Sequence, residues 1–163
     1  MKTLQTISKT IFFAAVFAFA SCNKDDDNPV QEVTGGSDYY VNAKVDGNNY
    51  SNSSFFAPMA TVAANTLIIQ SSTDSGKSIQ IQIQNFNGAG TYNVGGDITR
   101  GYVNYMTLSP ITTYTSVRGS GTVTVEESTD AFVKGTFTAV APENEESPSS
   151  QVTITEGSFR AKR

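Results

Sequence analysis

The sequence predicts an all-β fold, an antiparallel β-sandwich, with a lipocalin-like or other closed antiparallel β-barrel as the alternative, and three observations carry that expectation. From Asp38 onward apolar and polar residues alternate with a period of two, turn-forming residues recur at short intervals, and no long window has apolar positions at i, i+3, i+4 and i+7. The clearest run is Ser78-Ile79-Gln80-Ile81-Gln82-Ile83-Gln84, which sets isoleucines on one face and glutamines on the other, as a strand with one buried face requires. The uneven strand lengths favour the sandwich.

The amino end comes first in order and is of a different kind. Lys2 and Lys9 precede an unbroken apolar run from Ile11 to Ala20, which stops at Ser21-Cys22. A basic n-region, an apolar h-region and small residues at the cleavage point make 1–21 a signal peptide. As a helix this run would span about 15 Å, half of a hydrocarbon core of about 30 Å, which is too short for a comfortable transmembrane anchor. Residues 22–37 are polar, contain Pro29, Gly35 and Gly36, and read as a flexible acidic tether. Residues 38–163 then form a single all-β domain. Cleavage ahead of Cys22 leaves 9 basic against 15 acidic residues, a net charge of −6 in place of −4. Half of that −6 belongs to the tether, where Lys24 faces Asp25, Asp26, Asp27 and Glu32.

Within the domain the alternation predicts strands near 39–45 and 48–52, split by the Asp46-Gly47 turn, then 59–64 and 66–71. The Thr73-Asp74-Ser75-Gly76 turn leads to 78–85, Asn87-Gly88 to 90–94, and Gly95-Gly96-Asp97 to 101–108. Strands follow near 112–117, 121–127, 131–140 and 151–160, separated by Gly119-Ser120-Gly121, Ser128-Thr129-Asp130 and the Pro142 to Pro148 segment. Thr and Gln point to water along these runs while Val, Ile and Phe point inward.

Three resemblances bear on the address and family of the chain. Phe19-Ala20-Ser21-Cys22 resembles the lipobox of bacterial lipoproteins, with Phe19 where leucine is usual. It implies that Cys22 is acylated and becomes the first residue of a membrane-anchored chain. The Lys24-Asp25-Asp26-Asp27 run looks like the export signal of surface-exposed lipoproteins of the Bacteroidota, which implies an outer-membrane protein facing the cell exterior. Ala43-Lys44-Val45-Asp46-Gly47, Gly90-Thr91-Tyr92, Gly121-Thr122-Val123-Thr124, Lys134-Gly135-Thr136-Phe137 and Ile154-Thr155-Glu156-Gly157-Ser158-Phe159 resemble a family of small all-β Bacteroidota lipoproteins of unknown function. Those motifs are of strand and turn type and imply no catalytic residue.

Composition narrows the chemistry further. With no histidine and one cysteine the chain has no Ser-His-Asp triad, no imidazole base, no ordinary catalytic zinc site, no internal disulfide and no CxxC pair. Charged residues make up 16% of the chain, below the usual quarter, and the balance is acidic, which speaks against a nucleic-acid partner. Gly76-Lys77-Ser78 ends like a phosphate-binding loop, but Ser71 stands where its first glycine belongs and a strand follows instead of a helix. Asp74-Ser75-Gly76 lies among polar neighbours, whereas an aspartic dyad needs an apolar shell. Asp97, Glu126, Glu127, Asp130 and Glu156 are the carboxylates a small hydrolase would have to pair. Glu143-Asn144-Glu145-Glu146 and Asp46-Gly47-Asn48-Asn49 are oxygen-rich but lack the alternating spacing of an EF-hand loop. No cofactor and no metal is expected, and the reading is that the chain is not an enzyme.

The expectation is therefore a lipid-anchored, non-catalytic β-domain that serves as an accessory or interaction module of the cell envelope. The alternative is a glycan-binding or small-ligand lipoprotein contacting its ligand through Tyr39, Tyr50, Tyr102, Tyr105 and Tyr114, since tyrosines flanked by Asn, Ser and Gln offer an apolar face with hydrogen-bonding neighbours. The partners foreseen are the membrane, through the lipid on Cys22, and a glycan or envelope protein. The two readings separate on whether those tyrosines line one exposed concave face or are dispersed in the core.

Overall fold

The structure is a computed structural model that describes residues 38–163. The signal peptide, Cys22, Lys24, Asp25, Asp26, Asp27 and the rest of the expected tether lie outside the described residues. The described residues are all-β: β1 (Tyr40–Val45), β2 (Asn48–Ser51), β3 (Met59–Ala63), β4 (Thr66–Ser72), β5 (Ser78–Ile83), β6 (Gly90–Val94), β7 (Gly101–Leu108), β8 (Ile111–Thr115), β9 (Ser120–Ser128), β10 (Phe132–Pro142) and β11 (Gln151–Lys162). One-turn helices at Ile98–Arg100 and Ser116–Arg118 interrupt the strands. Each strand overlaps its expected span, and β11 runs two residues further than the alternation suggested.

The strands form one curled sheet in the order β6-β9-β10-β11-β3-β4-β5-β7-β8, with β1 added to β11 and β2 to β1. All pairings are antiparallel except β11 with β3, a single parallel bridge between Lys162 and Met59. That bridge joins two antiparallel limbs, β2-β1-β11-β10-β9-β6 and β3-β4-β5-β7-β8. An isolated bridge from Tyr114 to Glu143 brings the β8 edge to the chain just beyond β10. The sheet is thus a half-barrel: the two limbs face each other across one core as in a sandwich, and single bridges take the place of full barrel closure.

The core follows from the period-two pattern. Val41, Ala43 and Val45 of β1, Ile79, Ile81 and Ile83 of β5, and Val123 and Val125 of β9 are buried, as are Phe137 and Phe159, whose ring centroids lie 6.3 Å apart. In β11 the parity changes midway. Val152 and Ile154 point inward at even positions, then Gly157, Phe159 and Ala161 at odd ones. The cause is a bulge at Thr155-Glu156, where Glu156 takes φ +51° and the register jumps from Gly157 opposite Phe137 to Ile154 opposite Ala139. The extra residue keeps both halves of a twelve-residue strand facing one core. Lys44 secures it, its Nζ 2.8 Å from Glu156 Oε1.

At the entry to β7, Gly101 has φ +99°, and a Cβ there would overlap the Gln82 carbonyl. Only glycine suits that close approach.

Phe159 is fully buried in the second half of β11. Replacing Phe159 by Ala is expected to lower the unfolding free energy by about 3–5 kcal/mol in urea titrations, with the m-value unchanged.

Candidate functional site

The five tyrosines do not share one site. Tyr50, Tyr105 and Tyr114 form a ladder at the open side of the half-barrel, with centroids 6.5 Å apart for Tyr50 and Tyr105 and 6.1 Å for Tyr105 and Tyr114. The ladder arises because Tyr105 and Tyr114 are cross-strand partners in the β7-β8 hairpin, while Tyr50 reaches them from β2. It borders a small cleft of about 160 Å³ together with Asp46, Asn48, Asn49 and Lys77.

Tyr50 has a packing role. Its ring is buried, its hydroxyl lies 2.8 Å from Ser71 Oγ, and it accepts the Ile79 amide at 3.2 Å. A β2 residue thereby ties one limb to β4 and β5 of the other. Tyr105 is likewise buried, which leaves Tyr114 as the accessible member. Burial raises the pKa of both Tyr50 and Tyr105. Tyr39 precedes β1 and borders none of the clefts described here.

Tyr102 occupies a different place, on the outer face of β7, two residues from Asn104. There a cleft of about 250 Å³ is formed by Tyr102 and Asn104 of β7, Thr115 of β8, Val117 and Arg118 behind it, Ile98 before β7, and Asn144. The Asn104 Oδ1 atom is buried and has no hydrogen-bond partner among the described residues. A buried acceptor without a donor carries a desolvation cost that a ligand O–H or N–H would remove. The Arg118 guanidinium donates to the Glu145 carbonyl, which holds the 142–150 segment across the cleft. A tyrosine ring, the Asn104 amide and a guanidinium around about 250 Å³ of concave surface suit a saccharide ring better than a purely apolar ligand. Sequence reasoning found Tyr102, named Asn144 only within an oxygen-rich loop, and missed Asn104 and Arg118. The signal available for Asn104 was its parity with Tyr102, which puts both on one face of β7.

A broader concavity covers the outside of β9, β10 and β11, where two adjoining clefts of about 420 and 400 Å³ share Thr122 and Thr138. Register explains its uniform chemistry. Thr91, Thr124, Thr136 and Ser158 stand opposite one another in a row across β6, β9, β10 and β11. Thr91 and Thr124 are joined by a 3.2 Å hydrogen bond. This is a field of hydroxyls on a sheet exterior, with no buried polar group aimed into it.

Three of the five carboxylates are each engaged with a different partner. Glu156 pairs with Lys44 at 2.8 Å and Glu126 with Lys134 at 3.4 Å. Asp97 accepts the Thr99 amide at 2.8 Å, and that bond lowers its pKa. Among the described residues no group of three or more His, Cys, Asp or Glu gathers as a metal site. Gly76-Lys77-Ser78 and Asp74-Ser75-Gly76 lie in the β4-β5 hairpin turn, closed by Thr73 N to Lys77 O at 2.8 Å.

A family model described as a domain of unknown function, DUF6252, matches residues 37–161. No curated protein and no solved structure matches the chain.

The Tyr50 tie makes two measurable differences. Tyr50→Phe strands the Ile79 amide and is expected to cost about 1–3 kcal/mol in chemical denaturation. Because the folded-state pKa values of Tyr50 and Tyr105 lie above the unfolded value near 10.0, their contribution is intact below that pH and is lost as pH rises through the folded values. Denaturation midpoints followed upward from about pH 9 should therefore fall less steeply in Tyr50→Phe than in the wild type.

Proposed function

The chain belongs to the DUF6252 family of domains of unknown function, and from that premise we propose that it is a lipid-anchored, surface-facing, non-catalytic β-domain of a Bacteroidota-type outer membrane, an interaction module of the envelope. The observation that carries this reading is the placement of the chain's one cysteine, Cys22, directly behind the Ile11 to Ala20 apolar run and Ser21. Acylation gives that thiol a role that needs no second cysteine. Two or three acyl chains, each methylene contributing about 0.8 kcal/mol, hold a protein on a bilayer far more firmly than one. The Lys24-Asp25-Asp26-Asp27 run supports the outward orientation. The binding role is supported by Glu126 and Glu156, which serve ion pairs, and by Asp97, which caps a turn.

The cleft around Asn104 favours a second, compatible reading in which the module captures a glycan or other small polar ligand. Tyr102 would stack on an apolar sugar face, Asn104 Oδ1 would accept a hydroxyl, and Arg118 would donate to a ring oxygen or carboxylate.

Cys22→Ser is expected to abolish labelling by a palmitate analogue in cells, and unchanged labelling would refute the lipoprotein reading. Replacing Asp25, Asp26 and Asp27 together by alanine should reduce protease accessibility on intact cells, whereas equal accessibility would remove the export role of the acidic run. For the cleft, Tyr102→Ala and Asn104→Leu should each lower saccharide affinity about tenfold or more in calorimetric titrations, with the fold unchanged by circular dichroism.

A further inference from the structure

Six of the seven large hydrophobic side chains that the domain exposes lie at one end of it. Phe55 and Phe56 are 82% and 69% exposed at the tip of the β2-β3 loop, Met59 opens β3, and Met106, Leu108 and Ile111 surround the β7-β8 turn. Register places these segments together. Ser53 donates to Ser72 O at the end of β4 (2.7 Å), Lys162 donates to Pro58 O (2.9 Å), and Leu108 lies over Gly76 of the neighbouring β4-β5 turn. Ile98, the seventh, is at the opposite end beside the Asn104 cleft.

The loop presents its phenylalanines by construction. The Asn52 side chain accepts the Val41 amide at 2.8 Å, and Ser53 Oγ, itself buried, accepts the Phe55 amide at 3.0 Å. Hydrogen bonds at the loop base thus fix the chain while both rings stay in water. Single exposed apolar residues are ordinary on protein surfaces, but six at one end call for a covering partner.

That end is also where the chain enters the domain, because Asn52 and Val41 pair beside the start of β1. Only fifteen residues separate Cys22 from Asp38. An acyl group on Cys22 would bring the point where the chain enters the domain near the bilayer that anchors it. The charges near this end are mixed in sign, Lys77, Arg160, Lys162 and Arg163 beside Asp38, Asp46, Asp74 and Asp130, so attraction to a membrane would be chiefly apolar.

We propose that this end, led by Phe55 and Phe56, inserts into the interfacial layer of the membrane that carries the protein. The occupant is a lipid surface, contacted through apolar side chains with little dependence on its charge. The inference rests on the lipid-anchor reading only for the proximity of the bilayer.

The chain has no tryptophan, so a single Phe55→Trp substitution reports on the loop without background, and Ile98→Trp reports on the far end. The mature chain from Cys22 is prepared acylated and, separately, as Cys22→Ser, and mixed with phosphatidylcholine vesicles with and without brominated acyl chains. On membrane-bound acylated protein the Phe55→Trp emission should shift to shorter wavelength and be quenched by the brominated lipid, while Ile98→Trp stays unchanged. The Cys22→Ser chain should show the same shift at millimolar lipid, insensitive to added salt or to phosphatidylglycerol. Phe55→Ser with Phe56→Ser should weaken that partitioning about tenfold or more. An unshifted Phe55→Trp signal on vesicle-bound acylated chain overturns the proposal while leaving the anchor intact. A missing acyl mass refutes the anchor instead, and the Cys22→Ser chain then decides alone, an unshifted signal at millimolar lipid overturning the proposal. A shift that follows protein concentration in the absence of lipid assigns this end to a second copy of the chain and also overturns it.

Discussion

Strand β11 is paired along both edges, to β10 over nearly its whole length and on the other side first to β1 and then, at Lys162, to β3. The rest of the sheet depends on this arrangement. It makes the last strand of the chain the neighbour of the first, so the limb built on β1, β9, β10 and β11 forms only when both ends of the domain are present. Its bulge at Glu156 turns Phe159 and Ala161 back into the core after Ile154. Without the extra residue, the pleat would carry one half of β11 to the solvent face. The connection to the second limb is slight by comparison, one parallel bridge at Lys162 and an isolated antiparallel one from Tyr114 to Glu143. Face-to-face burial of Val, Ile and Phe side chains and the Tyr50 hydroxyl bonded across to β4 and β5 do the remaining work.

This architecture separates two kinds of surface. The end containing the one-turn helices and the 142–150 segment carries polar concavities, among them the cleft with the unpartnered Asn104 oxygen. The end reached by the incoming chain carries exposed Phe, Met, Leu and Ile. A tethered module that contacts its membrane at one end and offers a polar cleft at the other would leave that cleft facing away from the lipid. The hydroxyl rows on β9, β10 and β11 fit a solvated flank, since threonine favours exposed strand positions through its branched side chain.

Much of this fold was legible in the sequence because a half-buried strand writes its burial as alternation. The Ile79, Ile81 and Ile83 run, the Val123 and Val125 pair and the turn residues between them place strands with little ambiguity. The Glu156 bulge was not read from the sequence, although its signal is there in the switch of apolar residues from even positions, Val152 and Ile154, to odd ones, Phe159 and Ala161. Closure was not legible, since it rests on bridges between residues as distant as Met59 and Lys162. The tyrosines illustrate the limit at the site. Tyr50 and Tyr102 carry the same expectation in sequence, yet one is buried on a strand paired to β1 and the other lies on an outer face. Asn104 gains its interest only from a missing partner, which is a property of three-dimensional surroundings.

The central claim is that the domain has a membrane-facing end and a ligand-facing end, and amide hydrogen exchange of the acylated chain, free in detergent and bound to vesicles, tests it most directly. The account predicts slowed exchange on membrane binding in residues 53–58 and 107–111, with 95–100 and 143–150 unchanged. Slowed exchange at 95–100 and 143–150, or no change at 53–58, would contradict it.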